Sequence, residues 1–413
     1  MAQVNSMDDF LSPLTLNDVD EDFEAFNAEL QKRLGTVVQS PLADAKIRFR
    51  DLSVNDNRVI EKVLIAVERV LRSGQLIMGA EVAEFESKFA SYTNVPYAVG
   101  VSSGTAAITA ALTAFGIGSD DEVITTVLAP VSVPNAIIAA GATPIFIDIN
   151  DDLNIDPAAI RPAITSRTKA IVAVHYTGRL CDMRQILDIA KVHNLRVIED
   201  ASQAFGANNP FGFAGSFGDA AAVSVSQMKI PNSYGETGIV LTRDKKIADR
   251  LRILRNLGTV HRELCIYPMT NIKIDTLQAA MTVATFDQFP TTIKRRLEIA
   301  GRYDAGLKHL VTCPIPPSDE NDLSCVFFDY TIQLEQRDAL RHWLEREGIE
   351  VKVRHPLVLS DHPAYANLPK LACPVGHRMV QRILSLPVHE KLSDQQVDQV
   401  INSIQRFFDL SES

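Results

Sequence analysis

The stretch Ala221 to Lys229, AAVSVSQMK, reads as a buried strand that ends on a single lysine. Small apolar residues fill Ala221 to Val225, and the chain delivers Lys229 four residues later. A run this apolar suits a strand covered on both faces, as in a parallel sheet. An amine at the end of such a strand loses water, which lowers its pKa and makes it nucleophilic. A surface lysine lying over apolar neighbours is the ordinary alternative. Just downstream, Gly235-Glu236-Thr237-Gly238 reads as a tight turn into the strand Ile239 to Thr242.

Outward from this stretch the pattern repeats. Further strands are expected at Tyr97 to Val101, Val123 to Leu128, Pro144 to Ile149, Ala170 to His175 and Arg196 to Glu199. Helices are expected at Val59 to Leu71, Ala106 to Phe115, Met183 to His193 and Lys246 to Asn256. The alternation predicts an α/β fold with a mostly parallel sheet covered by helices. Ligands of such folds sit beyond the carboxyl ends of the strands. Two segments end there. Glu199-Asp200-Ala201-Ser202-Gln203 places a carboxylate that could hold a proton on a heteroaromatic nitrogen, or simply cap a helix. Ser102-Ser103-Gly104-Thr105, before an Ala-rich helix, could bring N–H groups to an anion, or serve as an ordinary N-cap.

Helical spacing resumes at Ile274, Leu277, Met281 and Ala284, then at Ile293 to Leu310. A strand (Val326 to Ile332) and helices at Arg337 to Glu347 and Asp394 to Phe408 follow. The expected division is an acidic arm over residues 1–44, a large domain over 45–310 and a small one over 311–413. The arm carries nine acidic and two basic residues, with one possible helix from Asp18 to Leu34.

The 413 residues carry a net charge of −10, which disfavours nucleic acid or an anionic membrane as the main partner. No apolar run reaches the roughly 18 residues of a membrane span. The acidic start lacks a signal-peptide pattern, so a cytoplasmic chain is expected. Cys181, Cys265, Cys313, Cys325 and Cys373 are scattered without a C-x-x-C, and all five read as small buried hydrophobes. No metal site is expected. An EF-hand register from Asp148 fails, because Leu153 takes the glycine position.

Anion cradle, carboxylate and lysine together suit pyridoxal phosphate (PLP), which needs all three. The run from about Ile47 to Phe408 resembles the DegT/DnrJ/EryC1/StrS aminotransferases. The resemblance is carried by LRSGQLIMGAEVAEF from Leu71 to Phe85, by Ser103 to Ala107, and by Gly141 to Pro144 with Asp148. His175-Tyr176-Thr177-Gly178, Glu199 to Ala204, Gly215 to Ala220, Arg255-Asn256 and Asp275 to Ala280 complete it. It implies PLP fold type I, like aspartate aminotransferase, with a smaller C-terminal α/β domain. It also implies that Lys229 links the cofactor, Asp200 faces its ring nitrogen and Gln203 lies near the ring hydroxyl. Ser103, Gly104, Thr105 and Ser224 would hold the phosphate. Asn271 would reach the phosphate of a partner subunit, in a homodimer with sites at its interface. Pro130 falls where the family usually stacks an aromatic ring on the cofactor, and Phe205, Thr237 and Lys273 are further departures. Substrate contacts are expected among His175, Arg179, Lys273, Arg354 and His355.

The implied reaction moves an amino group from glutamate or glutamine to a keto group of a nucleotide-linked sugar, cyclitol or related intermediate. Two alternatives remain at this level: a PLP-dependent dehydratase or lyase, and a non-catalytic PLP-binding regulator or scaffold. Sugar dehydratases of the superfamily replace the lysine by histidine, so Lys229 weighs against that variant.

Overall fold

The computed structural model describes residues 44–261, 263–315 and 323–411. The helix expected at Asp18 to Leu34 lies outside the described residues. Seven strands form the central sheet: β1 (Tyr97–Val101), β2 (Glu122–Thr126), β3 (Thr143–Ile147), β4 (Thr168–Val174), β5 (Arg196–Asp200), β6 (Ala220–Ser224) and β7 (Gly238–Thr242). Their order is β1-β7-β6-β5-β4-β2-β3. The pairs from β6 through β3 are parallel, and β7 runs antiparallel to both β6 and β1.

Burial on both faces explains the apolar strands. Ala170, Val172 and Val174 of β4 enter one core, while Ile171 and Ala173 enter the opposite one. The sheet is flanked by helices α1 (Asn57–Ser73), α2 (Ala80–Thr93), α3 (Gly104–Ala114), α4 (Ser132–Ala139), α5 (Pro157–Ala163), α6 (Met183–His193), α7 (Lys245–Arg255) and α8 (Thr276–Thr285). The long α9 (Phe289–Leu307) leads on to α10 (Arg337–Arg346), α11 (Pro374–Arg382) and α12 (Asp394–Ser411). A separate core gathers Ile299, Tyr303 and Leu307 of α9 with Leu340, Leu344, Val397 and Val400, and it recruits Ile47 from upstream. Strands β8 (Tyr330–Gln333) and β9 (Ile383–Leu386) pair antiparallel there. Among the described residues no helix is long and apolar enough to cross a membrane.

Three expectations change. The strand read from Val326 begins only at Tyr330. Phe327 takes a positive φ of 48°, and the Val326 and Asp329 N–H groups donate instead to Gly178 and Thr177 carbonyls. That detour carries Phe328 and Asp329 toward Lys229. Helix α4 was not anticipated, because Pro134 interrupts its short sequence. It falls in the first turn, where a missing N–H costs little. Cys265 is exposed rather than buried, since it sits in a two-residue hairpin strand, and Cys313 is half-buried.

Candidate active site

The register Val101–Gly238–Ser224 aligns the ends of β1 and β6 across the start of β7. Strands β4, β5 and β6 run parallel, so Val174, Asp200 and Ser224 finish at the same edge. The N-terminus of α3 sits on that edge at very short range. A Cβ on Gly104 would lie 2.5 Å from the Ser224 Cβ, and one on Gly238 would lie 2.2 Å from the Ser103 carbonyl oxygen. Only hydrogen fits at either position. Ser103 caps the helix, its Oγ accepting from the Ala106 N–H at 3.1 Å. The N–H groups of the first turn have no carbonyl partner within a helix, which makes this end attractive to an anion.

A cavity of about 190 Å³ opens here. Of the residues expected to contact a cofactor, Ser103, Gly104, Thr105, Pro130, Asp200, Gln203, Ser224 and Lys229 all line it. Ile108, Ser132, Ser202 and Glu236 line it too, and were not foreseen. Pro130 supplies no aromatic face.

Asp200 is held by local bonds. Its Oδ1 accepts from the Ser202 N–H at 3.0 Å, and its carbonyl accepts from the His175 N–H at 3.1 Å. Gln203 is oriented by its Oε1, which accepts from the Thr177 N–H at 2.8 Å. Ser202 Oγ accepts from the Ser224 N–H at 2.8 Å and so ties the β5 end to the β6 end.

Lys229 emerges from a loop closed on itself, with the Val225 N–H donating to Thr237 and the Gln227 N–H donating to Gly235. Burial pushes its amine down to about 8; Asp200 opposes this, while Arg354 and Arg50 add to it. Between about pH 8 and the ordinary 10.5 the unfolded chain therefore holds a proton the folded chain has released. Stability of the cofactor-free protein rises with pH across that window. Below it, both states are protonated and the folded state bears the full desolvation cost. Lys229→Met should then raise the melting temperature at pH 7, by an amount that shrinks as pH climbs above 8. Paired thermal scans from pH 7 to 10 would check this.

The substrate-contact expectations fare unevenly. His175 is corrected. It is wholly buried, its Nδ1 accepts from the Cys181 N–H at 3.0 Å, and its Nε2 meets Glu199 Oε2 at 2.9 Å. A backbone N–H can only donate, so Nδ1 is the acceptor and Nε2 carries the hydrogen. Neither nitrogen is left for a substrate. Arg179 is placed elsewhere. It lines a different cavity beside Asp151 and Asp152, and its guanidinium donates to the Ile315 carbonyl. Asn271 is exposed and Lys273 half-buried, and neither lines the 190 Å³ cavity of their own chain. Arg354 and His355 lie close by. Arg354 donates through Nε and Nη2 to Asp329, both at 2.9 Å. His355 packs 5.5 Å from the Tyr176 ring, and burial, with Arg354 adding, pushes its imidazole down to about 4.

Two features escaped sequence reasoning. Glu199, read only as the neighbour of Asp200, is fully buried and accepts from the Gly215, Phe217 and Gly218 N–H groups, each at 2.8 Å. The adjacent Gly215-Ser216-Phe217-Gly218 was the available signal. Asp329 binds Arg354 and also Arg50 Nη2 at 2.9 Å. Burial alone would raise this carboxyl, but the two guanidiniums hold it below its ordinary value. A lone acid inside the apolar run Cys325 to Tyr330 was the only hint.

A family model described as the DegT/DnrJ/EryC1/StrS aminotransferase family matches residues 57–405. A dTDP-3-amino-3,6-dideoxy-alpha-D-galactopyranose transaminase of Aneurinibacillus thermoaerophilus is 36% identical, covering 87% of this chain and 99% of the relative. A Geobacillus stearothermophilus protein named pleiotropic regulatory protein is 33% identical over 87% of this chain and 97% of its own. The crystal structure of S. venezuelae DesV in complex with ketimine intermediate superposes with a TM-score of 0.83 at 33% identity, covering 88% of this chain and 98% of DesV.

Proposed function

Since the chain belongs to the DegT/DnrJ/EryC1/StrS family of PLP-dependent aminotransferases, we propose that it moves the amino group of glutamate or glutamine onto a keto group of a nucleotide-linked sugar. One observation carries this reading: a helix N-terminus, a strand-end carboxylate and a lysine of lowered pKa converge on a single cavity. These groups fit the cofactor, since the α3 N-terminus with Ser103, Thr105 and Ser224 suits its phosphate. Asp200 suits its ring nitrogen, Gln203 its ring hydroxyl and Lys229 its carbonyl carbon. Bound there, PLP supplies an electron sink for charge developing at the donor Cα. Lys229 Nζ would take the proton from that carbon and return it to the carbon that was the cofactor's carbonyl, across the intervening nitrogen. Asp200 keeps the proton on the ring nitrogen, and its tie to Ser202 and His175 keeps it aimed.

The working unit in this reading is a homodimer. Leu64, Ile65 and Leu71 of α1, and separately Leu264, are about 60% exposed, apolar side chains that a second copy would cover. Asn271 would then enter the neighbour's cradle. The deciding experiment follows two products: keto acid released from glutamate or glutamine, and amine appearing on a nucleotide-linked keto sugar. Loss of water without keto acid would point to a lyase instead. A regulator without turnover has the pleiotropic regulatory relative in its favour, while the intact lysine, acid and cradle weigh against it. Cofactor binding with no keto acid from any donor would establish that second reading.

The cradle makes its own prediction. Gly238→Ala drives a methyl into the Ser103 carbonyl. It should cost about 1–3 kcal/mol of stability, the usual penalty of overpacking. PLP affinity should fall with it, because the α3 N-terminus is what moves. Absorbance titration with PLP beside urea denaturation checks both.

A further inference from the structure

Lys229 lines two cavities. The second holds about 300 Å³, and its walls are residues 50–56 with Val59, residues 227–232 with Tyr234, the start of α9 and residues 389–391. Lys229 apart, none of the cofactor contacts assigned above lines it. Three cations meet beside it on the Phe328 ring. The Arg50 guanidinium lies 4.2 Å from the ring centroid, Lys229 Nζ 4.7 Å and the Arg354 guanidinium 5.5 Å. Asp329 serves both arginines, which leaves a unit positive charge between them.

Other charges on the wall are matched. Arg296 faces Glu390 at 3.6 Å, Lys391 faces Asp51 at 3.5 Å, and Asp56 is paired with Arg58 at 2.9 Å. Arg354 commits Nε and Nη2 to Asp329 in a bidentate pair. Arg50 spends Nη2 alone, on Asp329 and the Phe328 carbonyl; its Nε, like Arg296 Nε and His389 Nδ1 of the same wall, is buried with no partner among the described residues. Arg50 lines the cavity, and its side chain is 8% exposed. Burial pushes its guanidinium down to about 9 against the pull of Asp329, so a further anion would be welcome there. A buried guanidinium with unspent donors is suited to a carboxylate.

We propose that this cavity receives the α-carboxylate of the amino donor, and that Arg50 is the residue that recognises it. The inference rests on the transaminase reading, in which the donor Cα must reach Lys229. The α-carboxylate is one bond from that carbon, and Arg50 and Lys229 share one ring. A nucleotide diphosphate is the poorer occupant, because it lies several bonds from the reacting carbon of the acceptor.

The test uses the PLP-loaded enzyme, wild type beside Arg50→Met and Arg50→Lys. The readouts are glutamate kinetics and calorimetric binding of glutarate, a carboxylate that cannot turn over. Arg50→Met should raise the glutamate KM and the glutarate Kd by about 30-fold, the scale of a lost charged hydrogen bond. Acceptor KM should move less than threefold. Arg50→Lys keeps the charge without the fork and should recover part of the loss. It also decides the matter if Arg50→Met does not fold. A glutamate KM within threefold of wild type in either folded variant overturns the proposal. So does a fall in kcat shared by both half-reactions with KM unmoved, which would mark Arg50 as a structural partner of Asp329. A wild type that binds glutarate through Arg50 yet releases no keto acid from any donor would refute the transaminase reading and the donor assignment, leaving a carboxylate site. Turnover with an unmoved glutamate KM in Arg50→Met refutes the site alone.

Discussion

Lys229→Ala is expected to lower amino transfer by about 10⁴-fold or more, while the protein stays folded and still takes up PLP. Two losses combine. The amine is the only side-chain nitrogen among the residues lining the 190 Å³ cavity that can both bond to a carbonyl carbon and carry a proton. Removing a positioned acid–base group costs about 10²–10⁴-fold by itself, and losing the covalent attachment adds to that. Cofactor affinity should fall less than turnover, because the α3 N-terminus, Ser224, Asp200 and Gln203 remain. The alanine also removes a desolvated amine from the wall, so the variant should be at least as stable as the parent at pH 7. Three measurements check this together: keto-acid release from glutamate, melting temperature, and covalent retention of cofactor after borohydride. The parent should retain cofactor on the peptide containing Lys229, and the variant should retain none. Turnover above about one part in a hundred, or cofactor fixed on another lysine, would rule Lys229 out as the linking and proton-moving group.

How far this site could be read from the chain depends on the range of the interactions involved. Strand ends and helix starts are local. The apolar run Ala221 to Val225, the cap Ser103 and the turn at Gly235 to Gly238 are each legible within a few residues, and they assembled the lining of the cavity. A parallel sheet then does the rest, since it brings the ends of β5 and β6 to one edge whatever the loops do. His175 shows where that reasoning stops. A histidine just past a strand reads as exposed to ligand, and only the packing reveals that both nitrogens are consumed by Cys181 and Glu199. Arg179 lies elsewhere for a different reason. It follows the same turn, but Val326 docks on Gly178 and turns the chain toward a separate cavity. Arg50 and Asp329 are 279 residues apart, so no pattern in the chain pairs them. The core around α9, α10 and α12 shows the same limit, because Ile47 joins it by bridging to Ile349.

Glu199→Ala should be the most damaging substitution outside the cavity, although the residue faces away from it. The carboxylate is fully buried, and four donors converge on it: three backbone N–H groups of the 215–218 turn and His175 Nε2. Alanine leaves those donors without their acceptor, and two of them, the Gly215 N–H and His175 Nε2, are buried. Breaking a buried, hydrogen-bonded partner of this kind costs about 3–5 kcal/mol. That is a large part of the roughly 5–15 kcal/mol that holds a folded domain together, so low soluble yield is expected at 37 °C. Glu199→Gln should cost less, because one oxygen still accepts, though the amide turns a donor toward the others. Urea denaturation of both variants measures the order, with Gln between the parent and Ala. The functional consequence follows from the backbone. Glu199 is the residue before Asp200, and His175 binds both the Glu199 side chain and, through its N–H, the Asp200 carbonyl. Loosening this pair lets Asp200 drift, so the Gln variant, where it folds, should bind PLP more weakly than its stability loss alone explains. A Gln variant as stable as the parent would show that the turn, rather than the carboxylate, aims Asp200.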